Sequence, residues 1–255
     1  MVPGFLAVFS EPGNNVSLEE FQDWYNNEHI PLRLHHLPSF LTGARFSSSD
    51  SKTPRWLALY DITSTSVFSE DSYTSLRSSR SQREADLVAR LEVLDRRTCV
   101  LLKDSGESGV TTSLGAERPT LFLCTHGLDL DVGEEDEEAR GWAERSFGEL
   151  GRDVDGWVRT RVFKVLDHLV VGNGTAGEKE EFPYLVVHGT SSNSERVVVR
   201  FVDLGVCAEF MFPAVSLNTT FREVVDKPFV SELREWVLYK AYPSIAQGNL
   251  GVDAK

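Results

Sequence analysis

The order of the predicted secondary-structure elements constrains this fold more than any single motif does. Over the first hundred residues, hydrophobic patterning predicts strand, helix, strand, strand, helix and strand, which is the β-α-β-β-α-β order of a ferredoxin-like unit. The predicted strands are Gly4 to Ser10, Ser39 to Ser47, Arg55 to Ile62 and Arg97 to Leu102, and the predicted helices are Ser17 to Glu28 and Tyr73 to Val93.

The first helix has clear signals at both ends. Ser17 and Glu20 form a capping box that opens it, and Pro31 is expected to end it because proline lacks a backbone donor. Apolar and aromatic side chains, including Phe21 and Trp24, recur along it at helical spacing. The helix therefore has one face that must cover a sheet.

The same order of elements returns in the second half of the chain. Residues 104–118 are rich in Ser, Gly and Thr, which is typical of a linker. The later segments that echo the first unit are Pro119 to Gly127, Glu134 to Leu150, Gly156 to Val165, Phe182 to Thr190 and Phe221 to Tyr242. We therefore predict two repeats, 1–103 and 119–245, and a disordered tail at 246–255.

Composition and charge exclude several classes of partner. The chain has 26 Lys and Arg against 39 Asp and Glu, so its net charge of −13 argues against a nucleic-acid surface. No apolar run approaches the ~18 residues of a membrane span, and no signal peptide is visible. Cys99, Cys124 and Cys207 lack CxxC spacing and favour buried thiols in a reducing compartment. We expect a soluble, cytoplasmic protein without a membrane partner.

A resemblance to a known family rests mainly on residues Trp24 to Leu32 (WYNNEHIPL). Together with Leu37-Pro38 and Arg45-Phe46, they resemble the helix-to-strand signature of EthD-like proteins in the dimeric α+β barrel superfamily, particularly the two-repeat forms of filamentous fungi. Leu57 to Asp61 and Ser81 to Ala85 match as well. The resemblance is good over the first repeat and weaker over the second.

The resemblance implies an α+β fold in which two ferredoxin-like βαββαβ repeats close an intramolecular barrel, with a pocket between a sheet and its helices. The superfamily includes heme-binding and cofactor-free monooxygenases, polyketide cyclases, dehydratases and decarboxylases. We therefore expect a cyclase-like lyase or an EthD-type oxidoreductase of secondary metabolism, acting on a small aromatic or polyketide-like ligand. No cofactor is expected, with heme as the alternative; a non-catalytic binding module and a further homodimer also stay open.

The second repeat carries about 25 extra residues between its third strand and its second helix, at 191–220. The middle of this segment, Val197 to Pro213, is strongly apolar. One interpretation is an extra strand or hairpin at the edge of the barrel. The other is a translated intron, because its Val-Arg and Phe-Pro-Ala can be encoded by sequences like splice donors and acceptors.

His29 is the main catalytic candidate. It lies beside Pro31, one turn beyond Tyr25, where its side chain can reach beneath the helix. A neutral imidazole can take or give a proton near pH 7, as enolisation, aldol closure or dehydration requires. The alternative is a cap on the end of the helix. Glu28 is expected to be solvated rather than to orient the imidazole.

Five further residues are candidates for substrate binding: Trp24, Tyr25, Tyr60, Arg45 and His188. Strand alternation sends Tyr60 and Asp61 to opposite faces, so Tyr60 can line the pocket while Asp61 pairs with Arg45 or Arg55. His188 occupies the place of Tyr60 in the second repeat. Both Trp24 and Tyr60 also fit the alternative of plain core residues.

Metal binding is not expected. His35 and His36 are adjacent to each other and no carboxylate at ligand spacing accompanies them. Markers of dinucleotide, P-loop, α/β-hydrolase and zincin sites are missing from the sequence. The helix around Trp142 has no histidine, so we expect the second repeat to be a scaffold whose cavity is filled by apolar side chains.

Overall fold

The computed structural model describes residues 2–133, 135–173, 182–191 and 218–250. The strands are β1 (Gly4–Glu11), β2 (Phe40–Ser48), β3 (Trp56–Ile62), β4 (Val93–Asp104), β5 (Phe122–Leu128), β6 (Trp157–Val171), β7 (Tyr184–Thr190) and β8 (Val230–Tyr242). The helices are α1 (Leu18–Trp24), α2 (Ile30–Leu34), α3 (Asp71–Ser78), α4 (Gln82–Arg90), α5 (Glu137–Asp153) and α6 (Thr219–Val225). A π-helical turn, Tyr25–His29, joins α1 to α2.

The strands form a closed antiparallel barrel in the order β1-β3-β2-β8-β5-β7-β6-β4. In each half of the chain, the first strand lies between the third and the fourth strands of that half. The halves meet where β2 pairs with β8 and β4 pairs with β6. A mixed α/β fold with a closed antiparallel barrel is therefore confirmed.

Strand alternation divides the side chains between the barrel interior and the surrounding helices. Leu57 and Leu59 of β3 and Leu185 and Val187 of β7 are buried in one interior cluster, as predicted. The residues between them on β3, Ala58 and Tyr60, belong to a separate cluster with the helices of the first half. Side chains on this outer face can therefore build a site under the helices.

Pro31 does not end the first helix. The backbone continues to Leu34 through the π-helical turn, in which the N–H of Ile30 donates to the carbonyl of Tyr25. Pro31 then lies in the first turn of α2, directly after the π-helical turn. His29 is consequently held inside a continuous helical segment rather than at its end.

The predicted helix from Tyr73 to Val93 is two helices. The hydroxyl of Ser81 accepts a hydrogen bond from the N–H of Glu84, which caps α4 and separates it from α3. Val93 already belongs to β4. The break creates a corner between the two helices, at Ser79 to Ser81.

Residues 246–250, which were predicted to belong to a disordered tail, are among the described residues. Ile245–Gln247 form a 3-10 turn, and the amide of Gln247 donates to the carbonyl of Tyr242. Residues 251–255 lie outside the described residues, as do 192–217, which hold Cys207 and most of the 191–220 segment. Cys99 and Cys124 are buried free thiols. No helix in the described ranges is long and apolar enough to cross a membrane.

Candidate active site

A cavity of about 450 Å³ opens between the outer face of the sheet and the helices of the first half. Its walls combine aromatic, aliphatic and charged side chains, among them Leu6, Val8, Trp24, Tyr25, His29, Arg33, Tyr60, Tyr73, Arg77, Arg80, Glu84, Leu94 and Arg96. The cavity lies where the resemblance implies a pocket. It brings together four of the predicted site residues, namely His29, Trp24, Tyr25 and Tyr60.

His29 is positioned by the π-helical turn and by a buried carboxylate. Its Nδ1 atom lies 2.6 Å from Oε1 of Glu84, on α4. The rings of Trp24 and Tyr25 contact the imidazole, with centroid separations of 4.5 and 5.2 Å. The side chain of His29 is 19% exposed, so the imidazole is held firmly but still reaches the cavity.

Glu84 was not among the predicted site residues. Glu28, which was expected to be solvated, does not contact the imidazole; it accepts a hydrogen bond from Ser81 and lies near Arg83. A signal for Glu84 exists in the sequence: it shares a helix face with Leu87 and Leu91, three and seven positions later. A carboxylate on the buried face of an amphipathic helix requires a partner.

The environment keeps His29 uncharged at neutral pH. Burial, and then the charge of Arg33, lowers the pKa of His29 to about 4, although Glu84 acts in the opposite direction. Burial would raise the pKa of Glu84, but the hydrogen bond with His29 and the charges of Arg33 and Arg80 act in the opposite direction, and this pKa is lowered. An ionised Glu84 accepts a hydrogen bond from Nδ1–H of His29. This fixes the tautomer and leaves a lone pair on Nε2. No described residue hydrogen-bonds Nε2.

Two further polar groups of the cavity wall are buried. The hydroxyl of Tyr60 and Nε1 of Trp24 have no hydrogen-bond partner among the described residues. Burial raises the pKa of Tyr60 far above its usual value, so the phenol keeps its proton and remains a donor. An unsatisfied buried donor costs about 1–3 kcal/mol, which a ligand oxygen would recover.

Arg45 lies outside this cavity. Its guanidinium is 4.0 Å from the ring centroid of Tyr25 and about 5 Å from those of Phe21, Trp56 and Tyr239, and it donates to Gln22. It faces the helices, because its strand neighbours Ala44 and Phe46 fill the barrel interior. The surrounding aromatic rings stabilise the charge of Arg45.

The predicted pairing of Asp61 with Arg45 or Arg55 is wrong. Asp61 points to the opposite side of β3 from Tyr60 and forms an ion pair with Arg161 of β6. Arg55, which precedes β3, pairs with Glu11 instead. The alternation of β3 was therefore sufficient to separate Tyr60 from Asp61, but it could not identify a partner from the other half of the barrel.

The second half holds a buried histidine pair where only apolar side chains were expected. Nε2 of His188 lies 3.0 Å from Nε2 of His126, and Nδ1 of His188 lies 2.7 Å from the hydroxyl of Thr160. The rings of Trp142 and Phe221 cover the pair. Burial lowers the pKa of His126 to about 4 and that of His188 well below its usual value. His188 is thus part of the core of the second half.

The hydrogen bonds of the pair fit two neutral imidazoles. Nε1–H of Trp157 donates to Thr160, whose hydroxyl can donate to Nδ1 of His188. His188 then donates from Nε2 to His126, and Nδ1–H of His126 donates to the carbonyl of Gly127. Every donor in this series of four hydrogen bonds has an acceptor. In the described ranges, no group of three or more His, Cys, Asp or Glu residues is arranged for a metal ion.

Comparisons with known proteins support the fold. No family model matches this sequence, and no curated protein matches it. Among solved structures, the chain is similar to an anthrone oxidase-like protein at 9% identity, with a TM-score of 0.53 over 94% of this chain and 92% of that chain.

It is also similar to a proposed monooxygenase from Lactobacillus acidophilus, at 8% identity and a TM-score of 0.47 over 95% of this chain and 97% of the other. The likeness to the anthrone oxidase-like protein shows that this chain shares the fold of that solved structure.

Proposed function

We propose that this protein is a cofactor-independent enzyme that removes a proton from a carbon atom of an aromatic or polyketide-like small molecule. His29 is the general base. The observation that carries the proposal is that Nδ1 of His29 contacts Glu84 while the imidazole lines the cavity, so that Nε2 remains for the substrate. A base held in this way has a fixed tautomer and a partner for the charge that it acquires.

The proposed proton transfer uses only residues of the cavity wall. The proton on the acidic carbon moves to Nε2 of His29, and the electron pair of the broken C–H bond becomes an enolate on the neighbouring carbonyl oxygen. Glu84 stabilises the imidazolium that forms, and the protonated hydroxyl of Tyr60 donates a hydrogen bond to the enolate oxygen. The rings of Trp24 and Tyr25 provide flat apolar walls for an aromatic substrate.

An enolate is the intermediate that the expected reactions share. Aldol closure and dehydration proceed from it, and so does cofactor-free reaction with dioxygen. The solved structure that shares this fold is named anthrone oxidase-like. An anthrone is a tricyclic aromatic ketone with an acidic methylene group, and it is therefore the first substrate to test.

The test measures binding and turnover of anthrone by the wild-type protein and by His29→Gln. Quenching of tryptophan fluorescence reports binding, and oxygen uptake with formation of anthraquinone reports turnover. We expect the variant to bind anthrone but to lose turnover. His36→Gln, at an exposed position outside the cavity, is the matched control and should keep both.

Three results would contradict the proposal. Wild-type protein that binds anthrone and related aromatic ketones without any reaction would indicate a binding module. Turnover by His29→Gln equal to that of the wild-type protein would show that His29 is not the general base. A Soret band in the purified protein would show that heme is bound, and its loss in His29→Gln would assign His29 to iron ligation, since a histidine hydrogen-bonded to a carboxylate also suits that role.

A further inference from the structure

We infer that the natural ligand of this cavity carries a carboxylate, which Arg77 and Arg80 bind at the mouth while the aromatic body extends toward His29. This inference deepens the proposed function and rests on it, because both concern the same cavity. It also narrows the substrate class from aromatic ketones in general to aromatic ketones that carry a carboxylate.

The charge of the cavity wall is opposite to that of the chain. The protein carries a net charge of −13. Among the described residues that line the cavity, four are arginines, Arg33, Arg77, Arg80 and Arg96, and the single carboxylate is Glu84. Glu84 is already occupied by His29. A cleft with excess positive charge attracts and retains an anionic ligand.

The arginines of the cavity also differ from most others in their partners. Arg33, Arg77 and Arg80 form no ion pair with any described residue. Outside the cavity, Arg90 pairs with Glu20, and Arg234 pairs with Asp50. Further arginines in ion pairs are Arg55, Arg83, Arg97, Arg152, Arg159 and Arg161. Of the four arginines of the cavity, only Arg96 has a carboxylate partner among the described residues, Asp167.

Arg33 makes this arrangement costly without an anion. Its residue is only 9% exposed, and its guanidinium donates to the backbone carbonyl of His29 at 2.7 Å. The positive charge of Arg33 acts to lower the pKa values of His29, Tyr60 and Glu84, although burial raises that of Tyr60 overall. A buried guanidinium without a counter-ion pays for its desolvation, and a ligand carboxylate in the same cavity offsets that cost.

The positions of the arginines set the orientation of the ligand. Arg77 lies near the end of α3 and Arg80 at the corner before α4, and both are exposed, whereas Glu84 is buried one turn further along. A carboxylate at the corner therefore leaves the aromatic body against Tyr73 and the acidic carbon near His29. A guanidinium group matches the planar, bidentate geometry of a carboxylate.

The experiment compares 3-hydroxy-2-naphthoate with its neutral amide, which has the same aromatic body. We expect the acid to bind about tenfold more tightly than the amide at low ionic strength, by calorimetry. The double variant Arg77→Gln/Arg80→Gln should lose this preference and keep its affinity for the amide. The matched control, Arg145→Gln/Arg152→Gln, removes two exposed arginines from α5 and should retain the preference.

Salt dependence provides a second test on the unmodified protein. Added sodium chloride should weaken binding of the acid but not of the amide. Equal affinity for acid and amide, or a preference that survives in Arg77→Gln/Arg80→Gln, would overturn the inference and leave the proposed function standing. Failure of both ligands and of anthrone to bind would overturn the two together.

Discussion

Nδ1 of His29 and Oε1 of Glu84 are 2.6 Å apart although 55 positions separate the two residues in the chain. Neither helical segment contains the site alone: the π-helical turn supplies the base, and α4 supplies the carboxylate. They meet because both segments cover the same outer face of the barrel.

Replacing Glu84 by Gln keeps the shape of the side chain and removes its charge. We expect kcat/KM for anthrone to fall by about a hundredfold, because the imidazolium that forms during proton abstraction loses its counter-charge. Glu84 raises the pKa of His29, so the acidic limb of the pH–rate profile should also move to lower pH in the variant. A purely structural role for Glu84 would lower stability without moving this limb.

Replacing Tyr60 by Phe tests whether the hydroxyl serves a ligand. Because the hydroxyl has no partner among the described residues, its removal should leave the free energy of unfolding unchanged or raise it by up to about 1 kcal/mol. Affinity for aromatic ketones should nevertheless fall by about tenfold. Urea denaturation and fluorescence titration measure the two effects.

Tyr184→Phe is the control for Tyr60→Phe. The hydroxyl of Tyr184 donates to Asp136 at 2.8 Å, so its removal should destabilise the protein by about 1 kcal/mol. Its ligand affinity should not change, because Tyr184 lies outside the cavity. If Tyr60→Phe were destabilised as much as Tyr184→Phe, the hydroxyl of Tyr60 would have a structural partner and the proposed role would fail.

The buried histidines make the free energy of unfolding depend on pH above the pH range in which carboxylates titrate. Burial lowers the pKa of His126 to about 4, against about 6.5 in the unfolded chain. The unfolded state therefore binds more protons below pH 6.5. The burial of neutral His126 therefore costs no stability through protonation above pH 7. As the pH falls toward 4, it lowers the free energy of unfolding by up to about 3 kcal/mol.

Urea denaturation at intervals between pH 7 and pH 5 measures this dependence. The variant His126→Gln should be less stable at pH 7 but should lose less stability on acidification than the wild type. His36→Gln, at an exposed position, should retain the wild-type slope. A slope that is the same in wild type and His126→Gln would show that His126 is protonated in the folded protein.

The order of elements could be predicted from the sequence because each strand and helix has a local signal. Alternation along RWLALYDI was enough to place Leu57 and Leu59 in the barrel interior and Tyr60 under the helices. The ends of the elements were predicted less well, since Pro31 permits a helix to continue when it lies in the first turn after a π-helical turn. Ser81 caps a new helix inside a stretch whose periodicity had indicated one.

The partners of the site residues could not be predicted, because they depend on long-range packing. His29 was identified from its place after Tyr25, but Glu84 lies on a helix whose distance from His29 is set only by the closed fold. Arg45 has a sequence environment that also suits a binding role, and only the four aromatic rings around it show a structural one. His126 has no local signal beyond its place on an apolar strand.

Hydrogen exchange at the substrate is the most direct test of whether His29 removes a proton from carbon. Anthrone is incubated with the protein in D₂O without oxygen, and NMR follows the loss of the methylene proton signal. We expect the wild-type protein to accelerate exchange, Glu84→Gln to do so only weakly, and His29→Gln to bind anthrone without acceleration. Equal exchange with wild type and His29→Gln, or no acceleration by a wild-type protein that binds anthrone, would contradict this expectation.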